Sequence, residues 1–188
     1  MNIVDALTSH HGFLRQLFEQ SKTDPTVFDE FIRNLTVHHT MEEKYFYDFL
    51  EIQPQARPDA LEAVNEHHII ELIIKDAERF PREHERFPVK IESLGEYTTH
   101  HLDEEEMKIF PMAAQVLPET HLTTLGALFE EAREKLLGIK LPDIPPGIAD
   151  KGPGKMSIAG KKVAGVPALK VKTEKSIPQD LGIGSLKK

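Results

Sequence analysis

The chain has 188 residues, with 39% apolar and 29% charged residues and a formal net charge of −8. This length allows one domain with a substantial core and is too short for two full domains. Cysteine is absent, which excludes disulfide frameworks, thiolate zinc sites, iron–sulfur clusters and cysteine nucleophiles. The apolar runs are too short to span a bilayer, so we expect no membrane partner. The first residues, 1–5, do not resemble a secretory signal, and we expect a cytoplasmic protein.

The charge changes sign along the chain. Residues 1–138 carry 13 basic and 27 acidic residues, a balance of −14, whereas residues 139–188 carry 10 lysines and 4 acidic residues, a balance of +6. An acidic body repels phosphate backbones, so we expect no nucleic-acid binding by residues 1–138. Residues 139–188 are rich in Pro, Gly and Lys and contain no histidine or aromatic residue. We interpret them as an extended or disordered tail, either simply solvated or able to bind an anionic partner.

Apolar residues recur every three or four positions through residues 1–138, and Pro and Gly separate the periodic stretches. The first stretch has Val4, Leu7, Leu14 and Phe18 on one face. The others run from Pro25 to about Phe49, from Pro58 to about Phe80, from Pro88 to about Val116, and from Glu119 to Leu137. Short connections between long helices predict an all-α fold. We expect an up-down-up-down antiparallel four-helix bundle over residues 1–138, with a short fifth helix and an extended C-terminal tail.

Eight of the ten histidines form adjacent pairs, one pair in each long predicted helix: His10-His11, His38-His39, His67-His68 and His100-His101. Adjacent helical residues point about 100° apart, so one member of each pair is expected to face the core. The apolar seam of each helix selects the inward members: His11, His38, His67 and His101. A register shift of one residue would assign the same roles to His10, His39, His68 and His100.

Two of these seams also contain a glutamate four residues after the histidine. The second seam runs through Phe28, Phe31, Leu35, His38, Glu42, Tyr45 and Phe49. The fourth runs through Ile91, Leu94, Thr98, His101, Glu105, Ile109, Met112 and Val116. Burying such polar groups without a partner costs several kcal/mol, which a shared metal centre removes. In the third helix, Ile70 or Glu71 follows His67 on the seam, and Glu71 is therefore a further candidate ligand.

Four histidines and two glutamates exceed the four ligands of a tetrahedral zinc site, so the pattern indicates two ions. If both glutamates bridge the ions and an oxo or hydroxo group adds a further bridge, positions remain for a small molecule. Imidazole and carboxylate ligands without sulfur favour iron, with manganese as the second choice. The Glu-x-x-His spacing of ferritin-like di-iron bundles is absent.

Four short segments carry a resemblance to a known family: His11–Phe18, His38–Glu43 leading to Phe46-Tyr47, Glu66-His67-His68, and His101–Glu106 leading to Ile109-Phe110-Pro111. With the helix at Leu122–Lys135, they make the chain similar over residues 1–137 to bacterial hemerythrin-like proteins with an HHE cation-binding domain. The resemblance implies His11, His38, Glu42, His67, His101 and Glu105 as ligands of a non-haem di-iron site. Asp48 stands where relatives often have Pro. Glu71 stands where oxygen carriers have a second histidine.

The residues and the resemblance together predict a di-iron protein that binds dioxygen or a related small ligand, such as nitric oxide or peroxide, in a sensing or protective role. Two alternatives remain open at this point. One is a di-iron enzyme for peroxide disproportionation or iron oxidation. The other is an interaction module in which the ions only hold the helices together and the basic tail makes the contacts.

Overall fold

The computed structural model describes residues 1–138, which form an all-helical body. We number five helices in this range. They are α1 (Ile3–Thr23), α2 (Phe28–Glu42, continued through a π-helical turn, Glu43–Tyr47, to Asp48–Leu50), α3 (Arg57–Glu78), α4 (Phe87–Glu104, continued through a second π-helical turn, Glu105–Ile109, to Phe110–Val116) and α5 (Glu119–Leu137). The predicted tail, residues 139–188, lies outside the described residues.

The helix ends follow the local sequence signals. Asn2 caps α1, because its side chain accepts a hydrogen bond from the Asp5 backbone N–H at 3.0 Å while the Asp5 carboxylate accepts one from the Asn2 N–H. Proline stands in the first turn of α3 and of α4, where its missing N–H costs no hydrogen bond. Helix α5 ends at Gly138 with φ 68°, the left-handed conformation that glycine adopts without strain. The helix positions expected from the sequence therefore match within a few residues.

Helix α1 packs against α2, α4 and α5, while α3 packs against α4, and α5 also contacts α2. At one contact, α4 approaches α1 so closely that a Cβ added at Gly95 would lie 1.8 Å from Cε2 of Phe18. The all-helical prediction is confirmed, and the arrangement is consistent with a four-helix bundle carrying a fifth helix. The up-down-up-down order stays a prediction. Within residues 1–138, no helix combines the length and apolar content needed to cross a bilayer.

The π-helical turn in α2 corrects the predicted seam after Glu42. The sequence periodicity continues that seam through Tyr45 and Phe49, but the buried residues are Phe46, Tyr47 and Leu50, and Phe49 is 37% exposed. A π-helical turn closes its hydrogen bonds from i to i+5, so it contains more residues than an α-helical turn. The inward face is consequently reached one residue later than a regular α-helix predicts.

The second π-helical turn has the same effect in α4. There the predicted seam ends on Met112 and Val116, which are only partly buried. Ala113 and Leu117 take the core positions instead. Each π-helical turn begins at or immediately after the glutamate of a His-x-x-x-Glu pair, so the two irregular turns lie at the same level of the fold.

Candidate metal centre

The histidines and glutamates selected by the seams form one polar layer between two apolar clusters. This layer consists of His11, His38, Glu42, His67, His101 and Glu105, and each of these residues is at most 2% exposed. On α1, Leu7 belongs to the apolar cluster on one side and Leu14 to the cluster on the other side. On α2, Phe46 and Leu35 flank the layer in the same way. Every long helix therefore places its polar residues at one depth.

Helices α1 and α2 supply one half of the layer. Nε2 of His11 lies 3.1 Å from Nε2 of His38. Nε2 of His11 is 3.4 Å from Oε2 of Glu105, and Nε2 of His38 is 3.2 Å from Oε2 of Glu42. These four side chains offer ligand atoms within 4.8 Å of one another, a spacing that can hold one metal ion. We call this group the α1/α2 position.

Helices α3 and α4 supply the other half. Nε2 of His67 lies 3.6 Å from Oε2 of Glu42, and Nε2 of His101 lies 3.3 Å from Oε1 of Glu105. These four residues form a second group with ligand atoms within 4.8 Å, which we call the α3/α4 position. Because both groups contain Glu42 and Glu105, each carboxylate is placed to join the two positions.

Carboxylates outside the layer orient three of the four imidazoles. The contacts to Nδ1 are Glu106 to His11 at 2.8 Å, Glu43 to His67 at 3.0 Å, and Glu66 to His101 at 2.7 Å. A carboxylate only accepts hydrogen bonds, so each Nδ1 carries the proton and each Nε2 turns its lone pair into the layer. Carboxylate–histidine pairs of this kind are typical of metal-binding imidazoles.

Several polar atoms of the layer have no hydrogen-bond partner among the described residues. They are both carboxylate oxygens of Glu42, Oε2 of Glu105, and Nε2 of His67 and of His101. Unpaired buried acceptors of this kind are costly, and all of them are lone-pair donors. Burial, with the nearby charge of Glu105, raises the pKa of Glu42 well above its usual value. The donor set thus fits cations, which satisfy every one of these atoms.

The imidazoles respond differently to their surroundings. Burial lowers the pKa of His38 and of His67 well below the usual value, and neighbouring histidines add to the effect. Burial also opposes protonation of His101, but the charge of Glu105 and the hydrogen bond to Glu66 outweigh it and raise the pKa of His101. His38 and His67 are consequently held as neutral imidazoles, the form that binds metal ions.

The structure buries two histidines that the seams left outside the layer, His10 and His39. Nδ1 of His10 lies 3.1 Å from Nδ1 of His38, and the Phe129 ring of α5 lies 6.2 Å from the His10 ring. Helix α5 covers a second side of α1 and α2, so their buried arc is wider than one seam. The amphipathic stretch that predicted α5 was the signal for burial of His10, whereas His39 is covered by His67 of α3 and His101 of α4. His68 and His100 are exposed, as expected.

His39 offers a further nitrogen near the α3/α4 position. It shares with His67 and His101 a group of ligand atoms within 4.8 Å, and its Nε2 has no hydrogen-bond partner in residues 1–138. Its ring stacks on that of His67, with centroids 3.9 Å apart. Burial and the two neighbouring histidines lower the pKa of His39 well below its usual value.

Tyr47 also lies at the layer, although its only predicted role was as part of the Phe-Tyr motif. Its hydroxyl donates a short hydrogen bond to Oε1 of Glu105, and its side chain is buried. Burial, together with the charges of Glu105 and Glu42, raises the pKa of Tyr47 well above its usual value. The π-helical turn of α2 brings this residue inward, so a regular helical periodicity could not have found it.

Glu71 is not brought to the layer. Its carboxylate is exposed and forms an ion pair with Lys75 at 2.7 Å. Ile70 takes the inward place on α3 instead, because the next core position after His67 lies three residues on rather than four. The candidate ligand groups in the described part of the chain do not include Glu71.

In a comparison with known protein families, the profile of the hemerythrin HHE cation binding domain matches residues 2–113. This range contains every side chain of the layer and the outer carboxylates. Comparison with curated proteins and with solved structures gives no match. More than half of the chain is covered, and the chain belongs to the hemerythrin family of HHE cation-binding domains.

Proposed function

We propose that this chain is a cytoplasmic non-haem di-iron protein that binds dioxygen or a related small ligand, nitric oxide or peroxide, in a sensing or protective role. One observation carries the proposal. Two groups of four buried ligand residues share Glu42 and Glu105, so these two carboxylates would serve both cation positions, each of which has two further histidines. Neutral imidazoles with carboxylates and no sulfur favour iron over the softer metals, and manganese is the alternative.

In this proposal, different residues bind the cations, orient the imidazoles and position a carboxylate. His11 and His38 hold the α1/α2 position, His67 and His101 hold the α3/α4 position, and the outer carboxylates keep each Nε2 pointed inward. Tyr47 holds a proton against Oε1 of Glu105 and so fixes the orientation of that bridging carboxylate. Iron bound there would supply the affinity and the redox chemistry toward the small ligand.

The apolar clusters on both sides of the layer restrict access of water. Phe46 and Phe110 on one side, and Phe31 and Leu35 on the other, are essentially inaccessible. A low-polarity surrounding strengthens electrostatic contacts inside the site. Glu71 lies at the surface, so it cannot serve as a seventh protein ligand beside the six named above. The imidazole of His39, near the α3/α4 position, is placed to take that role.

The proposal is tested by metal analysis of protein purified from iron-supplied cells, with absorption spectra recorded before and after reduction. We expect close to two irons per chain and near-ultraviolet bands that change on reduction. Glu42→Ala should lose most of the iron, whereas Glu71→Ala, a matched change on the exposed face of α3, should keep it. Full iron content in Glu42→Ala, or no iron in the unaltered protein, would contradict the proposal.

Addition of small molecules to the iron-loaded protein then separates binding from turnover. A binding protein gives a stable adduct with nitric oxide or dioxygen at a fixed ratio to protein. An enzyme for peroxide disproportionation instead consumes hydrogen peroxide continuously and evolves dioxygen. An interaction module would show no spectral change with any of these ligands.

A further inference from the structure

The layer consists of two halves that repeat one arrangement. Helix α1 or α3 supplies one histidine, and the helix that follows supplies a second histidine with a glutamate four residues later. The rings of His11 and His38 have centroids 4.9 Å apart and an interplanar angle of 78°. The rings of His67 and His101 have centroids 4.7 Å apart and the same angle. Residues of one half can therefore be matched with residues of the other.

Each half also carries an aromatic residue five positions after its glutamate, Tyr47 in α2 and Phe110 in α4. Both rings lie against a histidine of the other half. The Tyr47 ring is 5.6 Å from the ring of His67, and the Phe110 ring is 5.4 Å from the ring of His11. Tyr47 and Phe110 are therefore counterparts in the repeat.

Only one of these two rings carries a hydrogen-bond donor. The Tyr47 hydroxyl donates to Oε1 of Glu105, whereas the Phe110 side chain is entirely hydrocarbon. Glu42 is the counterpart of Glu105, because its contacts to two histidines, 3.2 and 3.6 Å, are matched by those of Glu105, 3.3 and 3.4 Å. Neither oxygen of Glu42 has a hydrogen-bond partner in the described part of the chain. The hydroxyl that holds Glu105 thus has no equivalent beside Glu42 among residues 1–138.

Small ligands differ in how much they need such a donor. Azide and hydroperoxide are anions, and a buried anion is costly unless hydrogen bonds replace those it made with water. Nitric oxide and dioxygen are neutral and lose little hydration on burial. A side of the layer that presents a bare ring and the oxygens of Glu42 offers no hydrogen to an anion. The negative charge of Glu42 adds repulsion.

A surface groove between α1 and α4 ends at the Phe110 ring. It has a volume of about 380 Å³ and is lined by Val4, Thr8, Glu106, Phe110, Pro111 and Ala114. None of these lining side chains is basic, and most of them are hydrocarbon. The Phe110 ring is 3% exposed, so it closes the inner end of the groove. One ring thus separates His11 from a groove that contains no cation to attract an anion.

We propose that Phe110 is a specificity-determining residue: it takes beside Glu42 the place that Tyr47 takes beside Glu105, and its bare ring restricts this side of the layer to small neutral molecules. This inference rests on the proposed function and narrows its ligand class to neutral diatomic molecules such as nitric oxide or dioxygen. Hydroperoxide and azide are disfavoured there because no donor replaces their bound water.

The test is Phe110→Tyr, which adds one hydroxyl and keeps the shape of the ring. Azide should bind the oxidised, iron-loaded variant roughly 10-fold more tightly, the effect of one hydrogen bond to a charged group. Nitric oxide should bind the reduced variant as it binds the unaltered protein. Phe49→Tyr, which adds the same hydroxyl to an exposed ring of α2, should change neither affinity. Phe110→Leu adds no donor and should leave azide binding weak.

Unchanged azide binding in Phe110→Tyr, or an equal gain for azide and nitric oxide, overturns the proposal. A Phe110→Tyr chain that does not fold contradicts it as well, because a hydroxyl beside Glu42 has an acceptor. A protein that binds no iron overturns the proposed function together with this inference. A crystal structure of cation-free Phe110→Tyr separates the two failures. We expect the new hydroxyl to donate to Glu42, and a hydroxyl directed into the groove refutes the role of Phe110 whatever the iron content.

Discussion

The polar layer and the two apolar clusters beside it are buried to the same degree, yet burial has opposite consequences in the two regions. Around Phe31 or Phe46, removal of hydrocarbon from water is favourable without any partner, at about 25 cal/mol per Å². Around Glu42 and Glu105, burial places two carboxylates among imidazoles and leaves several acceptors unpaired. The apolar clusters therefore position the layer, and bound cations are expected to stabilise it.

The apolar side of this comparison should show the largest change in stability. Phe31→Ala removes a fully buried ring, and the free energy of unfolding should fall by about 3–5 kcal/mol. Urea denaturation measures this change, which should be equal with and without bound iron because no ligand is altered. Phe49→Ala on the exposed side of α2 serves as the control. A loss confined to the iron-loaded form would contradict the separation of the two regions.

Removal of cations tests the polar side. At a free cation concentration a thousand times the dissociation constant, binding stabilises the native state by about 4 kcal/mol. For a domain of this size, chelation should then lower Tm by about 8–16 °C, as measured by circular dichroism. An unchanged Tm after complete removal of the metal would show that the layer does not need its ions.

The next largest effect is expected in how the free energy of unfolding of the cation-free protein depends on pH. His10, His38, His39 and His67 have lowered pKa values in the folded state, so below pH 6.5 the unfolded chain binds protons that the folded chain does not. Each such histidine can subtract up to about 1.4 kcal/mol of stability per pH unit as the pH falls. His101 and Glu42 act in the opposite direction, because their raised pKa values favour the folded state as the pH falls.

Four histidines with lowered pKa values oppose one histidine and one glutamate with raised values, so the net result below pH 6.5 is destabilisation of the folded state. Chemical denaturation at pH 7, 6 and 5 of the metal-free protein checks the sign. Stability that rises steadily on acidification would contradict the neutral state assigned to these imidazoles.

The smallest effect is expected at Tyr47. Tyr47→Phe removes a buried hydrogen bond to a carboxylate and should cost about 1.5–3 kcal/mol, while the number of bound ions stays the same. Thermal unfolding and metal analysis measure the two quantities. Tyr97→Phe, at an exposed tyrosine of α4, is the matched control. A loss of iron in Tyr47→Phe would show that the phenol is itself a ligand.

Much of the fold could be predicted because local signals were strong. Pro58 and Pro88 identified helix starts, and the apolar seams led through His38 and Glu42 to residues that the structure brings together. The family profile independently confirms the resemblance over residues 2–113.

The rest depended on features that a single helical period does not encode. The two π-helical turns shift the inward face by one residue, so Phe46 replaced Tyr45. Burial of His10 depends on the neighbouring helix α5, and burial of His39 depends on His67 and His101 of α3 and α4, so periodicity within α1 or α2 cannot show either. On α3, the spacing from His67 allowed either Ile70 or Glu71 to be the next inward residue. Only the packing of the folded protein shows that Ile70 is the buried one.

The central claim is that six side chains from four helices hold two ions through shared carboxylates. The most direct measurement is a crystal structure of the iron-loaded protein with anomalous diffraction recorded at the iron edge. We predict two peaks, one beside His11 and His38 and the other beside His67 and His101, with Glu42 and Glu105 between them. A single peak, or peaks away from these side chains, would contradict the account.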